Sequence, residues 1–437
     1  MKRVAVTGMG IISPIGNQVE GVWNSLVKNQ SGIRHIPAWE KIKDLKVSIA
    51  GCCQCYDPKR INRKDRRTMG PMAVMATLST LDALAQAGLD LHQPGSDSSQ
   101  LNSSKLKIPS KQTGVAMGST TGSGQTIETM FNDFQETGGI GRLEGTAFMK
   151  IMNHSVAANV AATLGIRGRV ISPCCACATS TQTIGEGYEI IKNGHQKIMI
   201  CGGADDLHPS TAGVFDVLNA ASRKYGQTPS ATPRPFDANR DGLVVSEGAG
   251  TLILEEFNHA RTRGAKILGE IIGYNTCCDG AHMTTPQAQG MAQCMEGALE
   301  SAGCKVQDID YINAHATGTR LGDAAEAHAI AMLGNHKIPV SATKGYTGHT
   351  LAASGVMEAI FCLEMMAHSL IIPTRNLETI DPDCAEICHV QKIIEKPLNT
   401  VMTSNFAFGG INATLIFKKY HNKKYQDRND HNKKELP

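Results

Sequence analysis

The sequence predicts an α/β protein whose sheets are covered by helices. Three observations carry this reading. Short Val/Ile/Ala runs alternate with helical periodicity along the chain. Forty-four glycines supply tight turns and close backbone approaches. A chain of 437 residues, 41% of them hydrophobic, also has enough apolar surface for a large core.

Strands are expected at Arg3–Thr7, Gly114–Met117, Arg169–Ser172, Lys197–Cys201, Gly250–Glu255, Ile267–Tyr274, Tyr311–Ala314, Pro339–Ser341, Val401–Ser404 and Ile411–Phe417. Each is a short β-rich run bounded by turn residues. Helices are expected at Val19–Lys28, Gly70–Ala87, Ser155–Leu164, Thr179–Lys192, Ala288–Ala302, Asp323–Leu333 and Leu351–His368, where apolar residues recur with a helical period. A midpoint near Glu256–Arg263 divides the chain into residues 1–256 and 257–418. Each half opens with a strand and places polar, Gly-rich turns at strand ends. Gln93–Gln112 is Ser/Pro/Lys-rich and reads as a surface loop. Lys418–Pro437 has seven Lys/Arg, three acids and almost no apolar residues, so 419–437 is expected to be a disordered tail.

Composition excludes several functions. A net charge of +3 and 5% aromatics, with no basic-aromatic run, argue against nucleic acid as a partner. The most apolar stretch, Val356–Pro373, carries Glu358, Glu364 and His368 and reads as a core helix, so no membrane is expected. The apolar run after Lys2 and Arg3 is interrupted by Gly8, Gly10 and Pro14, unlike a signal peptide. Fourteen cysteines cluster as Cys52-Cys53-x-Cys55, Cys174-Cys175-x-Cys177, Cys277-Cys278 and Cys384-x3-Cys388, which suits neither a small secreted framework nor a zinc site; no metal is expected, and reduced thiols place the protein in the cytoplasm.

The chemistry concentrates in four passages. In Val170-Ile-Ser-Pro-Cys-Cys-Ala-Cys177-Ala-Thr-Ser-Thr, a β-rich run precedes Cys177 and a helical pattern follows, capped by Thr179 or Ser180 and ended by Lys192-Asn193-Gly194. A thiol near a helix N-terminus is favoured as thiolate, which lowers its pKa. Ala176 and Ala178 leave room for a substrate. The alternative is an inert buried thiol, and Cys174 and Cys175 compete for the role from further up the strand. Tyr311-Ile-Asn-Ala-His315-Ala-Thr317-Gly-Thr319 and Ser341-Ala-Thr-Lys344-Gly-Tyr-Thr-Gly-His349 each place a histidine at a strand end beside Gly and Thr, facing a pocket. Ser404-Asn-Phe406-Ala-Phe408-Gly409-Gly410 offers backbone N–H groups to a reacting atom; the alternative is a plain Gly-rich hairpin.

Together these passages resemble the β-ketoacyl-acyl-carrier-protein synthases I and II, the condensing enzymes of fatty-acid synthesis. The resemblance runs from Val4-Ala-Val-Thr-Gly-Met-Gly to about Phe417 and includes Pro235-Phe-Asp-Ala-Asn-Arg-Asp-Gly and His282-Met-Thr-Thr-Pro286. It implies a thiolase-like five-layered αβαβα core built from two similar halves, a homodimer, and acyl carrier protein as partner. No cofactor is implied, because phosphopantetheine arrives on the carrier. It also implies an acyltransferase reaction in which Cys177 holds an acyl group. His315 and His349 stabilise the enolate formed from malonyl-carrier protein. The N–H groups of Cys177 and Phe408 form an oxyanion hole, and Lys344 and Glu358 support the histidines. Thr317 and Thr319 match positions that bind the pantetheine arm, Phe406 and Phe408 a gate, and Thr121 the entrance to the acyl pocket. Departures from the pattern, among them Ala316, Ala407, Ile411 and the order Ser404-Asn405, touch chain-length preference and gating. A ketosynthase of a polyketide or other specialised pathway would use the same residues. A non-catalytic chain-length partner subunit would lack Cys177.

Overall fold

A computed structural model describes residues 1–89 and 108–421. Most of the expected 93–112 loop and 422–437 of the expected tail lie outside the described residues. Fifteen strands are described: β1 Val4–Ile12, β2 Ile33–His35, β3 Ile49–Gly51, β4 Thr113–Gly118, β5 Val170–Ile171, β6 Ile198–Asp205, β7 Gly248–Glu256, β8 Gly269–Cys278, β9 Tyr311–Asn313, β10 Pro339–Ser341, β11 Leu370–Ile371, β12 Cys388–His389, β13 Ile394–Glu395, β14 Thr400–Ala407 and β15 Ile411–Lys418. Eleven of them form one sheet in the order β12-β10-β9-β14-β15-β8-β1-β7-β6-β4-β5.

This order is a repeated pattern read outward from the centre. From β1, the neighbours β7 and β6 are antiparallel steps, and β4 and β5 are parallel ones. From β8, the neighbours β15 and β14 are antiparallel steps, and β9 and β10 are parallel ones. The two half-sheets join where Val4–Val6 pairs antiparallel with Gly269–Ile271. The expectation of two similar halves is therefore met at the level of topology, with little visible repetition of residues.

Helices complete five layers. Pro71–Gln86 and Ser155–Leu164 cover the outside of the first half-sheet, and Ala288–Ala302 and Arg320–Met332 cover the second. Thr179–Lys192 and Ser354–His368 pack against each other between the half-sheets. A helix enclosed on all sides must be apolar all round. The segment Leu351–His368 is long and apolar enough to cross a membrane, but it is 83% buried, because it is this middle layer. Its first turn is a separate 3-10 turn, Leu351–Ala353, rather than part of the α-helix expected from residue 351.

Glycine lets the outer helix sit directly on β1. A Cβ added at Gly10 would lie 1.9 Å from the carbonyl oxygen of Ser79, in a helix that cannot move without leaving the sheet. Gly10→Ala is expected to cost about 3 kcal/mol, the upper range for overpacking, read as a lower midpoint in urea unfolding.

Candidate active site

Repeated topology brings the catalytic candidates to one place. Cys177 follows β5, His315 follows β9 and His349 follows β10, so each leaves the C-terminal end of a strand in the parallel part of its own half-sheet. Cys177 and His349 each precede a middle helix. The Cys177 sulfur and one ring nitrogen from each of His349 and His315 lie within 4.8 Å of one another. All three are buried. They open onto a cavity of about 530 Å³ lined also by Thr317, Thr319, Glu326, Phe406 and Phe408. Cys177 lines it and neither Cys174 nor Cys175 does.

The hydrogen bonds fix which ring nitrogens carry protons. The backbone N–H of Leu351 donates to His349 Nδ1 at 3.2 Å. Lys344 Nζ, which can only donate, lies 3.1 Å from His315 Nδ1, and Asn405 Nδ2 lies 3.0 Å from the same atom. Both Nδ1 atoms are therefore acceptors, and each neutral ring has its proton on Nε2. His349 Nε2 points at Cys177 Sγ, 2.9 Å away. The cluster has the spacing of a metal site, but a metal needs a lone pair at Nε2. The tautomers fixed from the far side put a proton there instead, so these rings are built to donate.

Lys344 is fully engaged. Its ammonium donates to Glu358 Oε1 at 2.5 Å, to the His315 carbonyl at 2.5 Å, and to His315 Nδ1. Glu358 Oε2 takes a hydrogen bond from Asn405 Nδ2 at 2.7 Å. Burial and the Lys344 charge hold both imidazoles well below the usual histidine value, with His349 adding to the effect on His315. A lowered pKa means protonation only at lower pH. The ring resonances of His315 and His349 should therefore stay constant from about pH 8 to about pH 6. A titration midpoint near 6.5 for either ring would contradict this environment.

Cys177 departs from expectation. Burial pushes its thiol up to about 12, the reverse of the lowering expected from the helix N-terminus. Lys344 and the residue's own N–H pull toward the thiolate, but desolvation outweighs them, and Asp205 and Glu358 add to it. The sequence shows the helix terminus and hides the depth.

Thr121 also lies elsewhere. It is exposed and does not line the cavity. Its neighbours Ser119 and Thr120 turn inward to bind Asp205, which sends Thr121 out. Phe408 is 39% exposed at the cavity mouth and packs on Phe215, whereas Phe406 is buried with its ring edge to His315. The turn that carries Phe408 needs left-handed backbone at Gly409 (φ 85°) and Gly410 (φ 71°). Gly409 N–H donates to the Met283 carbonyl, and Gly410 O accepts from Asp279 N–H, tying the turn to the 279–286 loop.

Two site residues escaped sequence reasoning. Asn405 joins His315, Glu358 and Thr181; its signal was a polar side chain in a buried strand. Glu326 accepts the N–H groups of His315 at 2.7 Å and Ala316 at 2.6 Å, and burial pushes its carboxyl up to about 8. With Asp323 it puts two acids one turn apart on a helix, a pattern that was visible.

Comparison with known proteins agrees with this geometry. A family model described as "Beta-ketoacyl synthase, N-terminal domain" matches residues 1–260, and "Beta-ketoacyl synthase, C-terminal domain" matches residues 268–378. The chain is 39% identical to 3-oxoacyl-[acyl-carrier-protein] synthase 1 of Haemophilus influenzae, over 96% of this chain and 100% of the relative. It is 36% identical to the Escherichia coli K12 protein of the same name, over 96% and 99%. Among solved structures, a beta-ketoacyl synthase from Burkholderia phymatum superposes with a TM-score of 0.90 at 39% identity, covering 96% of this chain and 100% of that one. The AntDE:AntF complex, a type II PKS acyl-carrier protein with its ketosynthase bound to the hexaketide, superposes at 0.85 and 27% identity, over 96% and 100%.

Proposed function

Because the chain belongs to the β-ketoacyl synthase family, we propose that it is a 3-oxoacyl-[acyl-carrier-protein] synthase, extending acyl chains in fatty-acid synthesis by decarboxylative Claisen condensation. The observation that carries this reading is a buried thiol facing two neutral imidazoles, both with Nε2–H turned into one cavity. That set suits a reaction that stores an acyl group and makes a carbanion beside it.

The residues divide the work. Cys177 sulfur attacks an acyl-phosphopantetheine thioester. The Cys177–acyl bond forms, the pantetheine C–S bond breaks, and the thiol proton leaves with the pantetheine sulfur. No free thiolate has to accumulate, which suits a thiol pushed up by burial. Malonyl-carrier protein then loses CO₂. The electron pair of the broken C–C bond enters the thioester as an enolate, and its oxygen takes hydrogen bonds from His315 and His349 Nε2–H. The enolate carbon attacks the acyl carbon. Charge on the acyl oxygen is met by the N–H groups of Cys177 and Phe408, the C–S bond breaks, and a proton from solvent restores the Cys177 thiol. Thr317 and Thr319 line the path of the pantetheine arm, and Phe406 and Phe408 stand between the two substrates. No cofactor enters any step.

The carrier partner is supported by the AntDE:AntF complex, in which a ketosynthase holds an acyl-carrier protein. A homodimer is supported by the edge strand β5 and by a segment, 124–151, that leaves Phe131, Phe134, Phe148 and Met149 exposed. Light scattering should give twice the chain mass. Fourteen free cysteines suit a reducing compartment, the cytoplasm. The decisive experiment supplies acyl-carrier proteins of several chain lengths with malonyl-carrier protein. Release of CO₂ with formation of a carrier product longer by two carbons supports the reading, and hydrolysis alone would sink it.

A further inference from the structure

One buried carboxylate beside the site has no part in the reaction as drawn. Asp205 ends β6, and its oxygens take four hydrogen bonds. Oδ1 accepts from Ser119 Oγ at 2.6 Å and Thr120 N–H at 2.8 Å; Oδ2 accepts from Thr120 Oγ1 at 2.7 Å and Ala352 N–H at 2.8 Å. Among the described residues, no Lys, Arg or His forms an ion pair with it. Burial pushes its carboxyl above the usual carboxylate value and these four donors pull it back, so its negative form rests on them.

The repeated topology gives those contacts meaning. Ala176 (φ 45°) and Leu351 (φ 51°) each open a 3-10 turn, Ala176–Ala178 and Leu351–Ala353, that runs straight into a middle helix. Cys177 and Ala352 are therefore counterparts, and so are their N–H groups. In the first half that N–H belongs to the reaction. In the second, the chain fills the equivalent place with its own carboxylate. Leu351, next to Ala352, supplies the N–H that fixes His349 Nδ1. Through Ser119 and Thr120 the same carboxylate holds the turn after β4, whose Thr120 carbonyl accepts from Cys174.

We propose that Asp205 is a positioning residue: by occupying the second half's copy of the oxyanion hole it pins the Leu351–Ala353 turn, and with it His349, and its negative form opposes the Cys177 thiolate. The role given to His349 rests on the reading above. The charged and titratable groups that face Cys177 are Lys344, which favours the thiolate, Asp205 and Glu358, which oppose it, and the neutral His315 and His349.

Two readouts on Asp205→Asn test this. Malonyl-carrier decarboxylation should fall by about ten- to a hundredfold in kcat with KM little changed, the loss expected from a misplaced group. The pH profile of Cys177 alkylation by iodoacetamide should move to lower pH, because an opposing charge is gone. A second variant, Ser119→Ala, keeps the charge and removes one donor. It should slow decarboxylation severalfold with an alkylation profile matching the parent's. The proposal is overturned if Asp205→Asn matches the parent in both readouts, if it loses decarboxylation without moving the profile, or if Ser119→Ala moves the profile equally. Alkylation needs no carrier protein. A parent enzyme that fails to decarboxylate malonyl-carrier protein therefore counts against the proposed function, while the alkylation comparison still judges Asp205.

Discussion

Cys177→Ala will take up no acyl group. With the parent chain, intact-protein mass spectrometry after incubation with acyl-carrier protein should show one added acyl group per chain; with the variant, none. Condensation should fall by at least about a thousandfold, since losing a covalent nucleophile removes the route and not one contact along it. The other thirteen cysteines sharpen the test. Cys174 is exposed and three residues away, yet neither histidine reaches it and it lies outside the cavity. An adduct that persists in Cys177→Ala would overturn the assignment and point to such a neighbour.

His315→Ala should separate the two half-reactions. Acyl loading should survive, because Cys177 and the N–H groups around it are untouched. Malonyl decarboxylation should fall by a factor of about a hundred to a thousand, the usual loss of one preorganised donor, roughly 3–4 kcal/mol. The measurement is CO₂ release from labelled malonyl-carrier protein, run beside acyl loading on the same preparation. Loss of loading with decarboxylation intact would contradict the role. His349 makes a less clean probe, since its Nε2 also contacts Cys177 Sγ and its removal disturbs both steps.

The sequence exposed some of this arrangement and hid the rest, for identifiable reasons. A β-rich run leading into a helical pattern pointed to Cys177, and strand ends beside Gly and Thr pointed to His315 and His349, because each must leave the sheet sharply to face a cavity. Long periodic helices were legible for the same local reason. Two-residue strands such as β11 and β12 were not, since so few residues carry no period. The repeat could not be read because pairing geometry is conserved between the halves while side chains are not: Cys177 in one half stands where Ala352 stands in the other. The thiol's rise instead of a fall is a matter of depth. A helix N-terminus is a local feature, but desolvation depends on everything packed around it. Asn405 and Glu326 act on His315 from 90 and 11 positions away, and only the fold brings them there.

The junction of the half-sheets also bears on how the chain is made. Val4 pairs with Glu256 on one side and with Ile271 on the other. β1 is thus a central strand of the finished sheet, and when it leaves the ribosome both its neighbours are still untranslated. At roughly 5–20 residues per second it waits more than about ten seconds with two unpaired edges and an entirely buried set of side chains in water. Such a segment invites pairing with other nascent chains. This is a protein whose yield in the cell should depend on what shelters β1 until β7 and β8 have been made.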